Sequence, residues 1–364
     1  MNATKKYKIL FLTKYERNGA SSRYRSLQYI PYLESQGFNC IVSPLFDDTY
    51  LTRLYTSKQR SSVDLLTALT RRLKTLLTTY RFDLLILENE LIPYTPAWLE
   101  QLLNVFSIPY VVDYDDAIFH QYDQHQNFLI RRILGTKIAS VMRHAQLVIA
   151  GNQYLAKYAH QAGAKAIQII PTVIDLTKYP QQEVINQDQF TIGWIGSPST
   201  FQYVKDLIPT LAKVCANGQA KMLLIGVNQI LEHSDWIESR PWSETNEVAY
   251  LQECDVGIMP LPDSPWTRGK CGFKLIQYMA CHLPVIASPV GVNSEIVEPG
   301  KNGYLASTPE EWINALTLLR NDKPLRLQMG KAGRKKVEAH YCLQVTAPHL
   351  ARLFQQLIED RKKP

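Results

Sequence analysis

The chain has 364 residues, of which 46% are hydrophobic and 20% charged, a balance typical of a folded globular protein rather than a disordered one. Its net charge of +7 suits an acidic small molecule or an anionic membrane face, and no recognition module for DNA or RNA accompanies it. The six cysteines lack a CxxC pair or a zinc-ligand spacing, which predicts buried thiols and no metal site. The length allows two domains of ordinary size.

The apolar run near the N-terminus, Ile9 to Thr13, is too short for the core of a signal peptide or for a membrane span. No other stretch approaches ~18 uninterrupted apolar residues. We therefore expect a cytoplasmic protein, with peripheral attachment to the inner face of the membrane left open.

Apolar runs and amphipathic segments alternate along the first half of the chain. The predicted strands are Lys8–Leu12, Asn39–Ser43, Asp83–Leu87, Tyr110–Asp113, Leu147–Ala150 and Ile167–Ile170. The predicted helices are Ser22–Gln36, Asp64–Tyr80, Ala97–Val105, Phe128–Arg143 and Gln153–Ala162. Such alternation predicts a parallel sheet with helices on both faces.

The same pattern restarts after Asp175–Asp188, a segment without apolar periodicity that we interpret as a linker. The predicted strands are Phe190–Ile195, Lys221–Ile225, Val256–Met259 and Val285–Ala287, and the predicted helices are Tyr203–Ala216, Gly272–Cys281, Pro309–Leu319, Pro324–His340 and Leu343–Asp360. The sequence thus predicts an α/β protein with two doubly wound, Rossmann-like domains, 1–178 and 189–342, facing each other across a cleft. A last helix, within 343–364, is expected to pack back on the first domain.

A basic, glycine-containing loop precedes the predicted helix Gly272–Cys281. Arg268, Lys270 and Lys274 gather positive charge where the helix begins, and a helix N-terminus favours an anion. Together they are suited to hold a diphosphate as it departs. The alternative is a solvated basic turn that caps a core helix.

Three segments around this helix carry a specific resemblance. They are Lys270–Ala280 (KCGFKLIQYMA), Pro284–Val297 (PVIASPVGVNSEIV) and Gly300–Ala306 (GKNGYLA). They resemble the donor-binding region of family 4 glycosyltransferases, strongly over about residues 250–306 and faintly elsewhere. The resemblance implies the GT-B fold, a nucleotide-sugar substrate, retention of anomeric configuration, and no metal or cofactor.

Several donor-binding residues follow from the resemblance. Met259 lies at the end of the strand that precedes the family's base-binding loop, and Gly272 and Phe273 lie in the matching segment. The family's two glutamates fall on Gly269 and Gln277, so this chain resembles a subgroup that lacks the pair. Gln277 can bind ribose hydroxyls as a neutral amide, whereas a glycine cannot contact the transferred sugar.

Family 4 glycosyltransferases bind the diphosphate with an arginine and a lysine in the loop after the first strand of the second domain. This chain lacks the arginine, and Lys205 comes later in the sequence than the family's lysine. Gly196, Ser197 and Ser199 can approach phosphate through backbone N–H and hydroxyl groups. The alternative for the two serines is helix capping.

The loop after the first strand of the chain contains Gly19, Arg23 and Arg25. Gly19 permits close backbone approach. The two arginines stand in the first turns of a predicted helix, where cations are unfavourable. They therefore suggest anion binding, with Arg23 assigned to the donor and Arg25 to the acceptor side, although surface arginines with packed stems are the alternative.

Carboxylates follow two further strands. Asp115 and Asp116, within Asp113–His120, are our candidates for acceptor activation or sugar contact, since repulsion among clustered carboxylates suggests function. A metal-binding Asp-x-Asp is rejected because the resemblance implies GT-B. Glu88, Glu90 and His120 are assigned to the acceptor side.

The leucine-rich segment Asp64–Tyr80 carries interleaved Arg71, Arg72 and Lys74. It predicts a domain-packing helix, with contact to an anionic membrane as the alternative. The loop Phe46–Ser62 is expected to lie on the acceptor side, but it contains no motif that identifies the acceptor.

The function predicted from the sequence is transfer of a sugar from a nucleotide-sugar donor to an unidentified hydroxyl acceptor, in polysaccharide or glycolipid synthesis. Two alternatives stay open: a nucleotide-sugar epimerase of the same fold, and a non-catalytic nucleotide-sugar-binding protein.

Overall fold

The computed structural model describes residues 7–57, 62–180, 189–227 and 235–362. The chain forms two compact units. The first comprises 1–172, 269–271 and 343–364, and the second comprises 173–268 and 272–342.

The first unit contains a six-stranded sheet in which every neighbouring pair is parallel. Its strands are β1 (Tyr7–Leu12), β2 (Phe38–Val42), β3 (Leu84–Glu88), β4 (Tyr110–Tyr114), β5 (Leu147–Ala150) and β6 (Ile167–Ile169). The spatial order is β2-β1-β3-β4-β5-β6. The winding direction reverses between β1 and β3, and such a switch point leaves a crevice at the carboxyl ends of the two strands.

Helices cover this sheet. They are Ile30–Ser35, Asp48–Ser57, Ser62–Leu76, Trp98–Val105, His120–Asp123, Phe128–Leu134, Lys137–His144, Gln153–Gln161 and Leu343–Lys362, with a π-helical turn at Ser22–Ser26 and 3₁₀ turns at Leu27–Tyr29 and Thr79–Arg81. The helix Leu343–Lys362 belongs to this unit. Its Thr346 hydroxyl lies 3.0 Å from the Tyr29 hydroxyl, and both residues are buried.

The second unit contains another all-parallel sheet. Its strands are β7 (Phe190–Ile195), β8 (Ala220–Ile225), β9 (Ile237–Arg240), β10 (Val256–Met259), β11 (Val285–Ala287) and β12 (Gly303–Leu305). The order is β12-β11-β10-β7-β8-β9. The switch point of this sheet therefore lies between β7 and β10.

The helices of the second unit are Phe201–Lys205, Ile208–Cys215, Glu247–Gln252, Pro265–Arg268, Phe273–Ala280, Asn293–Ile296, Pro309–Asn321 and Lys323–His340, with 3₁₀ turns at Leu176–Lys178 and Pro198–Thr200. Thr308 begins the helix Pro309–Asn321 with a capping box, because its side chain accepts from Glu311 N while Glu311 accepts from Thr308 N.

The central strands are apolar because helices cover both faces of each sheet. All residues of β3, β4, β5, β7 and β10 are buried, and each large aliphatic side chain buried in this way contributes roughly 2 kcal/mol. This two-sided burial gives the continuous apolar runs from which the parallel sheets are predicted. The predicted pair of doubly wound sheets is confirmed.

The structure departs from the predicted elements in several places. The predicted helix Tyr203–Ala216 is two helices, because Pro209 stands in the first turn of the second one, Ile208–Cys215. The helix predicted over 128–143 breaks at Gly135 and Thr136. Strands β9 and β12 and the helix Asp48–Ser57 were not predicted. Residues 58–61 of the expected acceptor loop and 181–188 of the expected linker lie outside the described residues.

Candidate functional site

The loop after β7 meets Lys274 at the switch point of the second unit. Lys274 is the second residue of the helix Phe273–Ala280, and its ammonium lies 3.4 Å from the Thr200 hydroxyl. The same ammonium stands 4.1 Å from the centre of the Trp194 ring, a cation–π arrangement that fixes its position. Lys274 and the loop Gly196–Thr200, predicted separately, are therefore neighbours.

Gly196 is required by this arrangement. A Cβ at position 196 would lie 2.6 Å from Lys274 Nζ and 2.5 Å from an edge carbon of Trp194. Any side chain would therefore displace the lysine or the ring. Glycine leaves the backbone of the loop directly beneath a positive charge, an arrangement suited to a phosphate.

Ser197 and Ser199 are hydrogen-bonded to each other, with 2.9 Å between their hydroxyl oxygens. Ser197 precedes the 3₁₀ turn Pro198–Thr200 without making a side-chain capping bond. The capping alternative therefore fails for Ser197, and the two hydroxyls stand together on the loop.

The helix Phe273–Ala280 begins at Gly272, whose φ of 65° is left-handed. A Cβ at this position would lie 2.4 Å from Ile296 Cδ1, so the sharp entry depends on glycine in two ways. Phe273 packs against the core of the unit. Met259, at the end of β10, is itself part of that core and is 5% exposed.

The arrangement of Gln277 differs from the predicted one. Its side chain is buried, and its amide donates to the Tyr179 hydroxyl at 3.2 Å. The amide therefore holds the segment around Tyr179 against the helix, and the expectation that it faces a ribose is not met.

Arg268 forms a two-pronged ion pair with Asp263. The Nε–Oδ1 and Nη2–Oδ2 distances are 2.6 and 2.8 Å, and both side chains are exposed. Hydrogen bonding to Arg268 lowers the pKa of Asp263. The expected positive cluster is therefore partly neutralised at this residue.

The short segment Gly269–Cys271 belongs to the first unit. Asn152 fixes it there, since its side-chain amide donates to the carbonyl oxygens of Gly269 and Lys270 at 2.9 and 3.1 Å. The same side chain accepts from Leu155 N and so caps the helix Gln153–Gln161. Nothing in the sequence marks this role except an asparagine two residues after the end of β5.

Gly269 stands where the resemblance places the first glutamate of family 4 glycosyltransferases. A Cβ at this position would lie 2.4 Å from Ala117 Cβ and 2.9 Å from Ala117 N. The backbone around Ala117 therefore occupies the space that a glutamate would need, which gives a physical reason for the departure from the family pattern.

Lys270 lies beside the carboxylates that follow β4. Its ammonium is 3.3 Å from Asp116 Oδ1. Burial raises the pKa of Asp116, and the charge of Lys270 opposes this rise. Asp115 is half-buried, and its carbonyl oxygen accepts from Cys271 Sγ at 3.0 Å. Lys270 thus compensates one of the two predicted catalytic carboxylates.

Arg25 does not offer its charge to an anion. Its guanidinium makes a buried, two-pronged pair with Asp113, with Nε–Oδ2 and Nη2–Oδ1 distances of 2.8 and 2.5 Å. Its Nη1 donates to the carbonyl oxygen of Ile170 and to the Thr172 hydroxyl. The acceptor-side prediction for Arg25 is therefore wrong, and the pair joins the start of the chain to β4.

Glu88 ends β3 beside the switch point of the first unit. Its Oε2 accepts from Ser22 Oγ at 2.6 Å and from Lys14 N at 2.9 Å, whereas its buried Oε1 has no hydrogen-bond partner among the described residues. Burial raises the pKa of Glu88 to about 7, and the charge of Asp115 adds to the rise.

Glu90 and His120 have structural partners. Glu90 is paired with buried Lys137 and accepts from the Tyr122 hydroxyl at 2.8 Å. His120 has both ring nitrogens engaged, one with Asp123 and one with the Tyr154 hydroxyl, each at 2.9 Å. The expectation that His120 and the Glu90 charge face an acceptor is not met.

Gly19 and Arg23 also lie inside the first unit. A Cβ at Gly19 would lie 2.5 Å from Tyr15 Cβ, so this glycine serves local packing. Arg23 is 4% exposed, donates to the carbonyl oxygen of Arg17 at 2.7 Å and lies over the Tyr24 ring. These contacts hold Arg23 inside the first unit and do not support the predicted donor-phosphate role, which stays a prediction.

The helix Ser62–Leu76 contacts its own unit through buried Ala68 and Arg72, while Val63, Leu65, Leu66 and Leu73 are exposed. Buried Arg72 donates to the carbonyl oxygens of Thr13 and Ser43, and Arg71 donates to that of Leu45. Two of its three interleaved cations thus bind the backbone of their own unit.

No cluster of three or more His, Cys, Asp or Glu side chains that could hold a metal ion occurs within the described ranges. In the same ranges, no helix is both long enough and apolar enough to cross a membrane.

Comparison with protein families gives one matching model, described as glycosyl transferases group 1, over residues 189–322. The N-acetyl-alpha-D-glucosaminyl L-malate synthase of Bacillus anthracis is 23% identical over 200 residues, which are 52% of this chain and 51% of that protein. The capsular polysaccharide biosynthesis glycosyltransferase CapM of Staphylococcus aureus is 23% identical over 48% of each chain. The chain thus spans about half the length of these curated relatives.

Solved structures match over nearly the whole chain. Sucrose-phosphate synthase from Thermosynechococcus elongatus superposes with a TM-score of 0.74 at 17% identity, covering 98% of this chain and 100% of that one. HepE of Anabaena in complex with UDP-glucose gives a TM-score of 0.69 at 20% identity, with coverage of 98% and 100%. At these identities the likeness establishes the fold, and the predicted GT-B class is confirmed.

Proposed function

We propose that this chain, whose residues 189–322 match the family model described as glycosyl transferases group 1, is a glycosyltransferase that takes a sugar from a nucleotide-sugar donor. The observation that carries the proposal is the placement of Lys274 over the loop Gly196–Thr200 at the switch point of the second unit. A diphosphate seated there gains hydrogen bonds from the loop and the charge of the lysine.

The donor is a UDP-sugar in this proposal. Support comes from a structural relative that is described in complex with UDP-glucose, and from the glycosyltransferase names of the sequence relatives. The acceptor carries a hydroxyl group. A place in polysaccharide synthesis is supported by the name of CapM, a capsular polysaccharide biosynthesis glycosyltransferase. A reducing compartment such as the cytoplasm suits the six cysteines, which are present as thiols.

The reaction breaks the bond between the sugar C1 and the diphosphate oxygen and forms a bond from C1 to the acceptor oxygen. Negative charge develops on the departing diphosphate, where the ammonium of Lys274 stabilises it without a metal ion. We propose that the acceptor attacks from the face that the diphosphate leaves, so the configuration is retained. The acceptor proton then passes to an oxygen of the leaving diphosphate.

Asp115 is proposed to contact the sugar or the acceptor. Asp116 is less suited to that role because Lys270 neutralises it. Arg268 and Lys270 are proposed to raise the potential near the phosphates, with smaller effects than Lys274 because each has an acidic partner.

A thermal-shift screen of nucleoside diphosphates and nucleotide sugars tests the proposal, since a ligand that binds the native state raises its melting temperature. The expected result is stabilisation by UDP and by at least one UDP-sugar, with UDP release once a hydroxyl acceptor is added. Conversion of the donor sugar without an acceptor would indicate an epimerase. Binding without any UDP release would indicate a non-catalytic binding protein.

A further inference from the structure

The crevice at the switch point of the first unit contains a small pocket. Its lining residues come from the loops that follow β1 and β2, from the end of β3 and the loop after it, and from the segment after β4. They are Lys14, Leu45, Glu88, Asn89, Glu90, Pro93, Ile118 and Gln121. All of them belong to the first unit. Leu45, Pro93 and Ile118 give the pocket apolar walls around a few polar groups, and its size suits a single hydroxyl group rather than a whole sugar.

Glu88 is the polar group that its surroundings leave incompletely bonded. The residue is 4% exposed, and its Oε1 has no hydrogen-bond partner among the described residues. Its other oxygen is saturated by Ser22 and by the backbone of Lys14. Leaving a buried carboxylate oxygen without a donor is costly, so a donor from outside the protein gains free energy by reaching it.

The neighbouring carboxylate does not compete for that donor. Glu90 is bonded to Lys137 and Tyr122. Glu88 therefore differs from Glu90 in having one oxygen available.

The charges around Glu88 select the kind of donor. Lys14 and Arg72 place positive charges near Glu88, and Asp115 places a negative charge near it. A cationic ligand would meet two positive charges, whereas a hydroxyl group can donate to the carboxylate and accept from the Lys14 ammonium at once. A neutral, hydroxyl-bearing ligand fits both requirements.

We propose that this pocket binds one hydroxyl group of a neutral carbohydrate acceptor, which donates to Glu88 Oε1. The inference rests on the proposed function and assigns the acceptor's chemical class. Glu88 is a positioning residue in this account, because it orients the acceptor and takes no part in bond breaking. Its ionised form, which is the one that accepts, predominates above pH 7.

The test uses the full chain and a panel of neutral methyl glycosides of glucose, galactose, mannose and N-acetylglucosamine. Binding is measured by saturation-transfer NMR at pH 8 with UDP present, up to about 100 mM glycoside, because a weak site is expected. The variants are Glu88→Gln and the matched control Glu100→Gln. Glu100 is also buried and accepts from a backbone N–H group, that of Leu91, but it lies outside the pocket.

Glutamine at position 88 keeps an oxygen for Ser22 and Lys14 and places an N–H donor where the carboxylate accepted. We expect at least one glycoside to bind wild type, Glu88→Gln to weaken it at least about 10-fold, and Glu100→Gln to leave it unchanged. UDP binding should be equal in all three proteins. Melting temperatures confirm that both variants are folded, and Lys14→Met, which should also weaken the glycoside, gives a second readout.

Failure of every panel glycoside to bind, or equal binding by wild type and Glu88→Gln, overturns the inference while UDP binding upholds the proposed function. Stronger binding of glucosamine than of any neutral glycoside overturns the choice of a hydroxyl over an ammonium group. Absence of UDP binding contradicts the proposed function itself, and the glycoside titration is then judged without UDP.

Discussion

A Cβ on Gly196 would lie 2.6 Å from the ammonium nitrogen of Lys274. The loop and the lysine are far apart in sequence, and only glycine lets them come this close. The Trp194 ring lies at a similar distance from that Cβ position. Any side chain at position 196 must therefore move either the Lys274 ammonium or the Trp194 ring.

Gly196→Ala should therefore reduce affinity for UDP by roughly 10-fold or more, since the methyl group moves the lysine away from the loop. Isothermal titration calorimetry measures the change. Gly218→Ala in the same unit is the comparator, because nothing lies within 4 Å of its virtual Cβ. Equal losses in the two variants would mean that the contact with Lys274 has no bearing on the ligand.

Much of the fold follows from two-sided burial of the strands. Four predicted strands, Leu147–Ala150, Phe190–Ile195, Val256–Met259 and Val285–Ala287, agree with the structure at both ends. Strand β9 escapes prediction because it is an edge strand whose residues Ile237–Arg240 are all half-buried and largely polar. Strand β12, also at an edge, is as short as the predicted β11 but has two half-buried residues, so it lacks the fully buried apolar run that marks β11.

The residues of the proposed phosphate site could be singled out from the sequence, because they lie in two short local features, the loop after β7 and the start of the helix Phe273–Ala280. The pairing of Arg25 with Asp113 could not be predicted in this way, because it depends on which side chains from distant segments meet inside the unit. One signal was present. Two arginines follow β1 and three aspartates lie at or just after the end of β4, at the same carboxyl edge of a parallel sheet, and opposite charges at one buried edge can pair.

Removing the cation of the buried pair should destabilise the first unit. Arg25→Met leaves Asp113 buried without its partner, which costs about 3–5 kcal/mol in the free energy of unfolding. Urea denaturation measures the loss. The double variant Arg25→Met/Asp113→Asn should recover part of it, because no isolated charge then remains. A double variant less stable than Arg25→Met would contradict this explanation.

The stability of the protein should depend on pH through Glu88. Its pKa is raised to about 7 in the folded state from an ordinary 4.5, so the folded state binds more protons than the unfolded state between these values. The free energy of unfolding should therefore fall as pH rises from 4.5 to 7, by roughly 3 kcal/mol from this group at most.

Glu88→Gln removes this contribution, because glutamine does not titrate. The difference in the free energy of unfolding between wild type and Glu88→Gln should change across pH 4.5–7 and be flat above it. Glu100→Gln is the comparison variant, since burial also raises the pKa of Glu100. The difference in the free energy of unfolding between wild type and Glu100→Gln should be measured over the same pH range. A flat curve for Glu88→Gln throughout would place the pKa of Glu88 near its ordinary value.

Gly269 should tolerate no side chain. Gly269→Ala brings a methyl group against Ala117, including its backbone nitrogen, and overpacking of this kind costs about 1–3 kcal/mol. Gly269→Glu, which introduces the residue typical of the family, should cost at least as much and raise no activity. Gly37→Ala is the comparator, with a left-handed φ of 89° and open space around it, and should cost about 1 kcal/mol. A fully stable Gly269→Glu with higher turnover would contradict the steric account.

The central claim is that Lys274 holds the donor's diphosphate, and calorimetric titration of UDP into wild type, Lys274→Met and Lys213→Met tests it most directly. Methionine keeps an apolar stem against Trp194 and removes the charge, while Lys213 is an exposed lysine on the helix Ile208–Cys215 of the same unit. The account predicts about 10- to 100-fold weaker UDP binding by Lys274→Met and unchanged binding by Lys213→Met. UDP affinity of Lys274→Met equal to that of wild type would contradict it.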